Sequence, residues 1–384
     1  MIHETDSVDA LIADIYACLE EPAPKPPVSK PQPKPKTKPF YLRFLAVLGK
    51  IGLILVETVL LIAVALYGVM YVLAKGPSPT ARDLFVRSVR ETSAVGFLAN
   101  LYFSEEEIAA IIGGVGTPDY VETDTSLIEI PSPTENTDPD QGPTPDAWGF
   151  VDDDGDGIII DEVKGVGYTG YMMIVLDPSR VVMGSIPETF GQYGHTVEHL
   201  VKQYDAVAGI NAGGFYDPDG HGNGSIPDTM VVYDGEVYYS ELGSANGFAG
   251  FDENHILHVG SFTPEEIQQK HIRYGVGFGP VLVVNGEANP YLSGGVNPRT
   301  AIGQRSDGAV LMLVIEGRQV SSLGCTVKDL AEIFLDYGAV NACNMDGGSS
   351  SMMYYNGEYI NDCASVVGIR PVPTSFLVLK KGGS

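Results

Sequence analysis

Two short stretches of the chain bring together the residue types that bond-breaking chemistry needs. "NAGGF" spans 211–215 and "NMDGGSSS" spans 344–351, so each sets a polar side chain, Asn211 or Asp346, ahead of a glycine pair. Glycine has no Cβ, so backbone N–H groups can close on an anion there while the polar side chain projects at the same point. A third stretch, "GGVNPRTAIG" at 294–303, places Arg299 and Thr300 after a proline and before a strand, with no acid four residues away. Arginine is the forked donor that suits phosphate or carboxylate. Together these parts suit cleavage of a bond beside an anionic group. Asp-Gly and Asn-x-Gly also make ordinary tight turns, and either stretch alone fits that plainer reading.

The elements that would position these residues repeat. "TVEHLVKQY" (196–204) opens on Thr196 as N-cap and leads into the apolar "AVAGI" before the first glycine turn. "TVKDLAEIFLDYG" (326–338) runs from Thr326 to a terminating Gly338 and leads into "AVNACNM" before the second. Both read as helix, buried strand, then a loop at the strand end, where rigid scaffolds carry function. A third helix is expected over 263–272, with Thr263 as cap and Pro264 in the first turn. "MVVYDGEVYYS", "VLVVNGEANP", "MLVIEGRQV" and "MMYYNGEYIN" each set x-Gly between apolar or alternating runs, a hairpin signal. The sum is an α+β domain with a largely antiparallel sheet and interleaved helices, spanning 148–384.

Upstream, residues 1–21 hold a short amphipathic helix over 7–21, and 22–50 is a linker rich in Pro and Lys. Residues 51–73 are apolar except for Glu57 and span about 35 Å as a helix, enough to cross a bilayer. They start too late for a cleaved signal peptide. Lys30, Lys34, Lys36, Lys38, Arg43 and Lys50 precede this segment, against Lys75, Arg82, Arg87 and Arg90 mixed with acids after it. That bias predicts a single-pass protein of the cell membrane with a cytoplasmic N-terminus and an extracytoplasmic C-terminal domain. Residues 74–147 read as a helical stalk and a polar linker.

A formal charge of −26 excludes a nucleic-acid binder, which needs a basic face. It also means that an anionic substrate must be met by locally placed arginines. Four cysteines are too few for a disulfide scaffold. Cys343 and Cys363 flank the last hairpin, and a bridge between them or two free thiols are both compatible with that spacing.

The motifs "INAGGF", "GFGPVLVVNGE", "NPRTAIG" and "NMDGGSSS", in this order, resemble the phosphodiester glycosidase family, with its bacterial exopolysaccharide-related members. The resemblance covers roughly 164–380. It implies hydrolysis of the sugar–phosphate bond of a glycosyl phosphodiester in envelope or exopolysaccharide glycans. It also implies a site built from Asn211, Gly213, Arg299, Thr300, Asp346, Gly347, Gly348 and Ser349. Asp346 is then the candidate catalytic carboxylate, with Glu316 as second and Asn211 beside them. Arg299, Thr300, Gly213, Gly347, Gly348, Ser349 and Arg318 are the expected phosphate donors. The family often reads Asp-Gly-Arg where this chain has Glu316-Gly317-Arg318, and a threonine where it has Met352.

Other signals compete. "DDDGDGIIIDEV" (152–163) matches a calcium loop at Asp152, Asp154, Asp156 and Gly157, but its twelfth position is Val163 instead of a bidentate glutamate. "HTVEH" (195–199) has the spacing of some zinc peptidases, although a cap at Thr196 would leave His195 outside the helix. No paired histidine accompanies Ser349–Ser351, so a serine hydrolase is not expected. A surface protein that binds glycan phosphates without cleaving them is the alternative from a different class.

Overall fold

A computed structural model of the 384-residue chain describes residues 12–16, 39–92, 95–113, 121–131, 144–218, 222–238, 247–365 and 368–382. Residues 12–16 are helical; the rest of the expected 7–21 helix and most of the Pro/Lys linker lie outside the described residues. The chain divides into two compact units, Met1–Leu66 and Tyr67–Ser384. Among the described residues one helix, Phe40–Lys75, is long and apolar enough to cross a membrane. It begins eleven residues before the expected Ile51, because nothing between Phe40 and Lys50 breaks a helix. It stops at Lys75, where Gly76 and Pro77 cannot continue it.

Among the described residues three antiparallel sheets build the folded unit. The first has seven strands in the order 158–165, 168–175, 310–315, 299–305, 339–345, 281–284 and 287–288. The second has five, in the order 358–359, 353–355, 206–211, 374–379 and 181–185. The third, also five-stranded, runs 236–238, 231–233, 272–277, 248–252 and 257–260. Their inner faces share one core, in which Met173, Met312 and Ile302 meet Ile210 and Phe376, and Ala249 and Val276. Strand periodicity then turns Met172, Leu311 and Leu313 outward, onto the helix Val327–Asp336. The second sheet likewise carries Val197–Gln203 on its outer side, and the third packs Ile267 of Pro264–Gln269. Each sheet is therefore buried on both faces. Each of the buried Val, Leu, Ile, Met and Phe side chains contributes about 1.5–3 kcal/mol.

The expected helix starts are present. Thr196, Thr263 and Thr326 cap the three helices, the latter two in reciprocal capping boxes with Glu266 and Asp329. Three of the four expected hairpins form. Asp234-Gly235, Asn285-Gly286 and Asn356-Gly357 all have positive φ at both central residues, the geometry a two-residue hairpin needs. The fourth does not form. After Val310–Ile315 the chain runs into a loop, and the left-handed residue is Arg318 (φ 58°) instead of Glu316. Glutamate lacks the short polar side chain that lets Asn and Asp adopt that conformation. The strand pairs instead with Arg299–Arg305 and Tyr168–Val175.

Downstream of the long helix stand three helices, Pro79–Arg90, Gly96–Leu101 and Glu105–Gly113. They gather around Ala74, Val86, Ala99, Tyr102 and Ile108 in a small core of their own. The segment lies within the same compact unit as the sheets. Cys325, Cys343 and Cys363 are free thiols, so the Cys343–Cys363 bridge is absent. Cys343 is buried inside the first sheet, while Cys363 lies against the Ser349 carbonyl, 3.5 Å away.

Candidate active site

The two glycine turns meet. Asp346 N–H donates to the Ala212 carbonyl (2.9 Å), and Asn211 Nδ2 donates to the Asp346 carbonyl (2.6 Å). Two strands from different sheets thus end at one point. Asn211 Oδ1 also accepts from Thr300 Oγ1 (2.8 Å) and from Met352 N–H (3.0 Å). Asn211 is fully buried, and its amide is spent holding three chain segments together. Thr300 belongs to the same fastening.

Two of the amides expected to face an anion are likewise occupied, which corrects their assignment as phosphate donors. Gly213 N–H donates to Thr374 Oγ1 (3.0 Å), and Gly348 N–H donates to the Pro298 carbonyl (2.8 Å). Their glycines serve close approach. A Cβ on Gly347 would lie 2.7 Å from the Pro298 carbonyl oxygen. A Cβ on Gly214 would lie 2.6 Å from Asp228 Oδ2, so this glycine admits a second carboxylate to the turn.

Asp346 is half-buried, with one edge toward solvent and protein packed around the rest. Burial pushes its carboxyl up to about 7. The Ser350 hydroxyl bonded to it and the Arg370 charge pull against that rise, while the charges of Asp228 and Asp217 add to it. Asp228 is raised too, by burial above all, and its Oδ1 has no hydrogen-bond partner. Two carboxyls whose ionised forms disfavour each other share this corner.

A guanidinium stands nearby, but it is Arg370. It meets Asp217 through two bonds of 2.8 Å each, donates to Ser349 Oγ (3.2 Å) and lies 4.9 Å over the Phe215 ring. Hydrogen bonding to Asp217 raises its pKa further. Arg299, the expected clamp, points elsewhere. Successive strand residues face opposite ways, and Thr300 takes the face toward Asn211. Arg299 leaves on the other side, where it donates to the Cys325 carbonyl (3.3 Å), the Gly295 carbonyl (2.5 Å) and Glu91 (2.7 Å). Glu316 is also committed, accepting from Asp362 N–H (2.9 Å) and Thr169 Oγ1 (3.3 Å).

Arg318 does reach the turn. Its Nη2 lies 3.2 Å from where a Cβ on Gly348 would stand. That nitrogen donates to Thr92 Oγ1 (3.0 Å) and Asn297 Oδ1 (3.4 Å), both neutral. No ion pair involves Arg318 among the described residues. Although its surface is exposed, surrounding protein and then the Arg299 charge draw its pKa down. Met352, where the family often has threonine, is buried among Val197, Leu200 and Tyr354, so a hydroxyl there would face that apolar cluster.

Asp217, Asp228 and Arg370 are the residues that reasoning on motifs missed. For Arg370 a signal was present. "GIRPVPTS" puts an arginine beside prolines just ahead of a strand with no acid four residues away, the same pattern that singled out Arg299. Asp217 and Asp228 sit in "FYDPDG" and "SIPDTM", which read as common loops.

The competing sites resolve differently. Carboxylate oxygens of Asp152, Asp154 and Asp156 lie within 4.8 Å of one another, so the three could offer oxygens to one cation. Burial and then Asp156 raise the Asp152 carboxyl, against bonds from the Gly155 and Gly157 amides. Val163 lies in the strand Ile158–Gly165 and is buried, so it completes no twelve-residue loop. His195 pairs with Val372 outside the helix that Thr196 caps, and its ring stacks on His199 at 4.8 Å. Among the described residues no metal-binding cluster includes either histidine.

Comparison with known proteins agrees with the motifs. Residues 204–379 match the phosphodiester glycosidase family. A SPbeta prophage-derived uncharacterized protein, YomE, of Bacillus subtilis (strain 168) is 31% identical over 194 residues, covering 46% of this chain and 29% of that protein. Among solved structures, the catalytic domain of zebrafish N-acetylglucosamine-1-phosphodiester alpha-N-acetylglucosaminidase, auto-inhibited by its pro-peptide, aligns with TM-score 0.47 and 19% identity. That alignment covers 58% of this chain and 82% of the zebrafish one. A hypothetical protein from Synechocystis aligns with TM-score 0.43 and 17% identity over 58% of this chain and 62% of its own. Residues 204–379, which hold the Asn211 and Asp346 turns together with Asp217, Asp228 and Arg370, are thus phosphodiester glycosidase-like.

Proposed function

We propose that the protein hydrolyses the sugar–phosphate bond of glycosyl phosphodiesters, and that helix Phe40–Lys75 anchors it in the membrane with the catalytic unit on the extracytoplasmic side. The observation that carries the reading is Asp346, a carboxyl raised to about 7 beside a second raised carboxyl, Asp228. Such a group exchanges a proton at neutral pH, as an acid–base catalyst must. Water adds to the anomeric carbon and the bond from that carbon to the phosphate oxygen breaks. One carboxylate takes the proton from water or stabilises positive charge at the sugar, and the other, protonated, serves the departing oxygen. A phosphate is a fair leaving group, so donors that meet its charge matter as much as the acid. Arg318, which lies against Gly348, and Ser349, whose hydroxyl accepts from Arg370, would take that role. Three roles follow: Asp346 and Asp228 act on the bond, Arg318 and Ser349 bind phosphate, Asn211 and Thr300 hold the turns.

The basic residues ahead of the helix favour the stated orientation, and envelope or exopolysaccharide phosphodiesters are substrates such a protein would meet. Incubating the detergent-solubilised full chain with a sugar-1-phosphodiester and measuring free sugar and phosphomonoester tests the activity. Equimolar release of both is expected. Tight binding without release would make the protein a glycan-phosphate receptor instead. Protease accessibility on intact cells tests the topology, and protection of the C-terminal unit would overturn it.

A further inference from the structure

The membrane-proximal helix Pro79–Arg90 ends against the loop that supports the candidate site. The Glu91 carboxylate accepts from Gly295 N–H (2.8 Å), Asn297 Nδ2 (3.1 Å) and Arg299 Nη2 (2.7 Å). One turn earlier, Ser88 Oγ accepts from Val296 N–H (2.8 Å). The approach is close enough that a Cβ on Gly295 would lie 2.3 Å from Ser88 Cα. Arg299 is 8% exposed, so its charge needs this carboxylate. Gly295, Val296 and Asn297 ahead of Pro298 and Arg299 after it are thus held, and Pro298 is the residue whose carbonyl receives Gly348 N–H. A second line runs beside the first. Thr92 Oγ1 bonds Asn297 Oδ1 (3.1 Å), and both oxygens take Arg318 Nη2, whose guanidinium lies against Gly348.

We propose that Glu91 and Thr92 are positioning residues of the active site: Glu91 fixes the 295–299 loop and with it the Asp346–Ser350 turn, and Thr92 fixes Arg318 where a substrate phosphate would sit. This rests on the reading of the Asp346 turn as the reacting centre. Neither residue touches the reacting atoms. The segment between membrane and sheets is then part of the enzyme, and the catalytic unit begins before residue 88, well ahead of the first strand at Ile158.

Two substitutions in the full-length, detergent-solubilised protein test this. Thr92→Val removes the nearer of the two acceptors of Arg318 while keeping the shape. It should raise KM for a glycosyl phosphodiester about fivefold with kcat within about twofold, and Thr92→Ser should restore KM. Glu91→Gln should lower kcat about tenfold and speed amide hydrogen exchange at Gly348 while leaving Ile210 unchanged. Folded variants with wild-type KM, kcat and Gly348 exchange would overturn the proposal, as would a lower KM in Thr92→Val, which would make Thr92 a competitor for Arg318. If the wild type cleaves no glycosyl phosphodiester and Glu91→Gln still loosens Gly348, the functional reading fails and the coupling of segment to turn stands.

Discussion

The chain builds the same local figure twice and uses it in two ways. In each, a threonine-capped helix leads into a buried strand that ends in a polar residue and a glycine pair: Val197–Gln203 into Ala206–Asn211, and Val327–Asp336 into Ala339–Met345. Asn211 turns inward and spends its whole amide on Thr300, Met352 and the Asp346 backbone. Asp346 keeps an edge in solvent and a carboxyl near 7. Neutral amide and ionisable carboxyl would thus divide the work on the proposed reading, one holding geometry and the other moving a proton. Asp346→Asn should therefore cut kcat about 10³-fold while the protein stays folded. Asn211→Ala should leave the Thr300 hydroxyl and Met352 amide buried without partners and cost about 3 kcal/mol of stability. Thermal unfolding of both beside kcat would break the division if Asp346→Asn unfolds the protein or Asn211→Ala leaves its Tm unchanged.

Asp228 sharpens the contrast, because its buried Oδ1 has no partner. That oxygen is left to bond a water or a substrate. Asp228→Asn should lower kcat about 10²-fold and, by removing a neighbouring charge, lower the pKa of Asp346. The acidic limb of the rate profile would then move below its wild-type position near pH 7. An unmoved limb would separate the two carboxyls. A smaller effect is expected at Gly214. Its side would meet Asp228 Oδ2 at 2.6 Å, so Gly214→Ala should displace that carboxylate and cost about tenfold in kcat. Alanine at Gly235, where an added Cβ would meet no residue beyond its chain neighbours within 4 Å, should strain the left-handed turn and cost some stability but leave kcat unchanged.

How much of this the sequence disclosed depends on the range of the interaction. Caps and two-residue turns are local, and Thr196, Thr263, Thr326 and the Asp234, Asn285 and Asn356 turns stand where the residues placed them. Glu316-Gly317 looked like the same turn, but its first residue disfavours positive φ, and the strand found partners far along the chain. The meeting of the Asn211 and Asp346 turns was legible because both units repeat one figure. The partners of a charge were not. Arg299 and Arg370 share one local pattern, and tertiary placement decides which reaches the site: Arg299 opens a strand, whereas Arg370 lies in the loop ahead of Thr374–Leu379. Arg299 is next to Thr300, whose hydroxyl binds Asn211, and so must face away. Arg370 is brought to Ser349 by a return strand that pairs with Ala206–Asn211. Arg299→Lys should accordingly change stability and not KM, whereas Arg370→Lys, which loses the fork on Asp217, should raise KM about threefold.

The smallest effect tests the environment of Asp346 without any substrate. Its folded pKa of about 7 stands above the ordinary 3.8 of an unfolded aspartate. Between those values the native state keeps a proton that the unfolded chain has released, so stability falls as pH rises through that window. Below about pH 4 both states are protonated and the favourable difference is complete; above about pH 7 it is gone. Asp346→Asn cannot titrate and lacks this slope. Comparing its Tm with wild type at pH 5 and pH 8 cancels whatever the substitution costs at both. The wild type should lose about 1–2 kcal/mol more than the variant, with solvent screening at the exposed edge counted, or roughly 3–6 °C. Parallel Tm curves would mean that Asp346 ionises at its ordinary pH in the folded protein. The proton held at the end of the second helix–strand unit, which distinguishes it from the first, would then not exist.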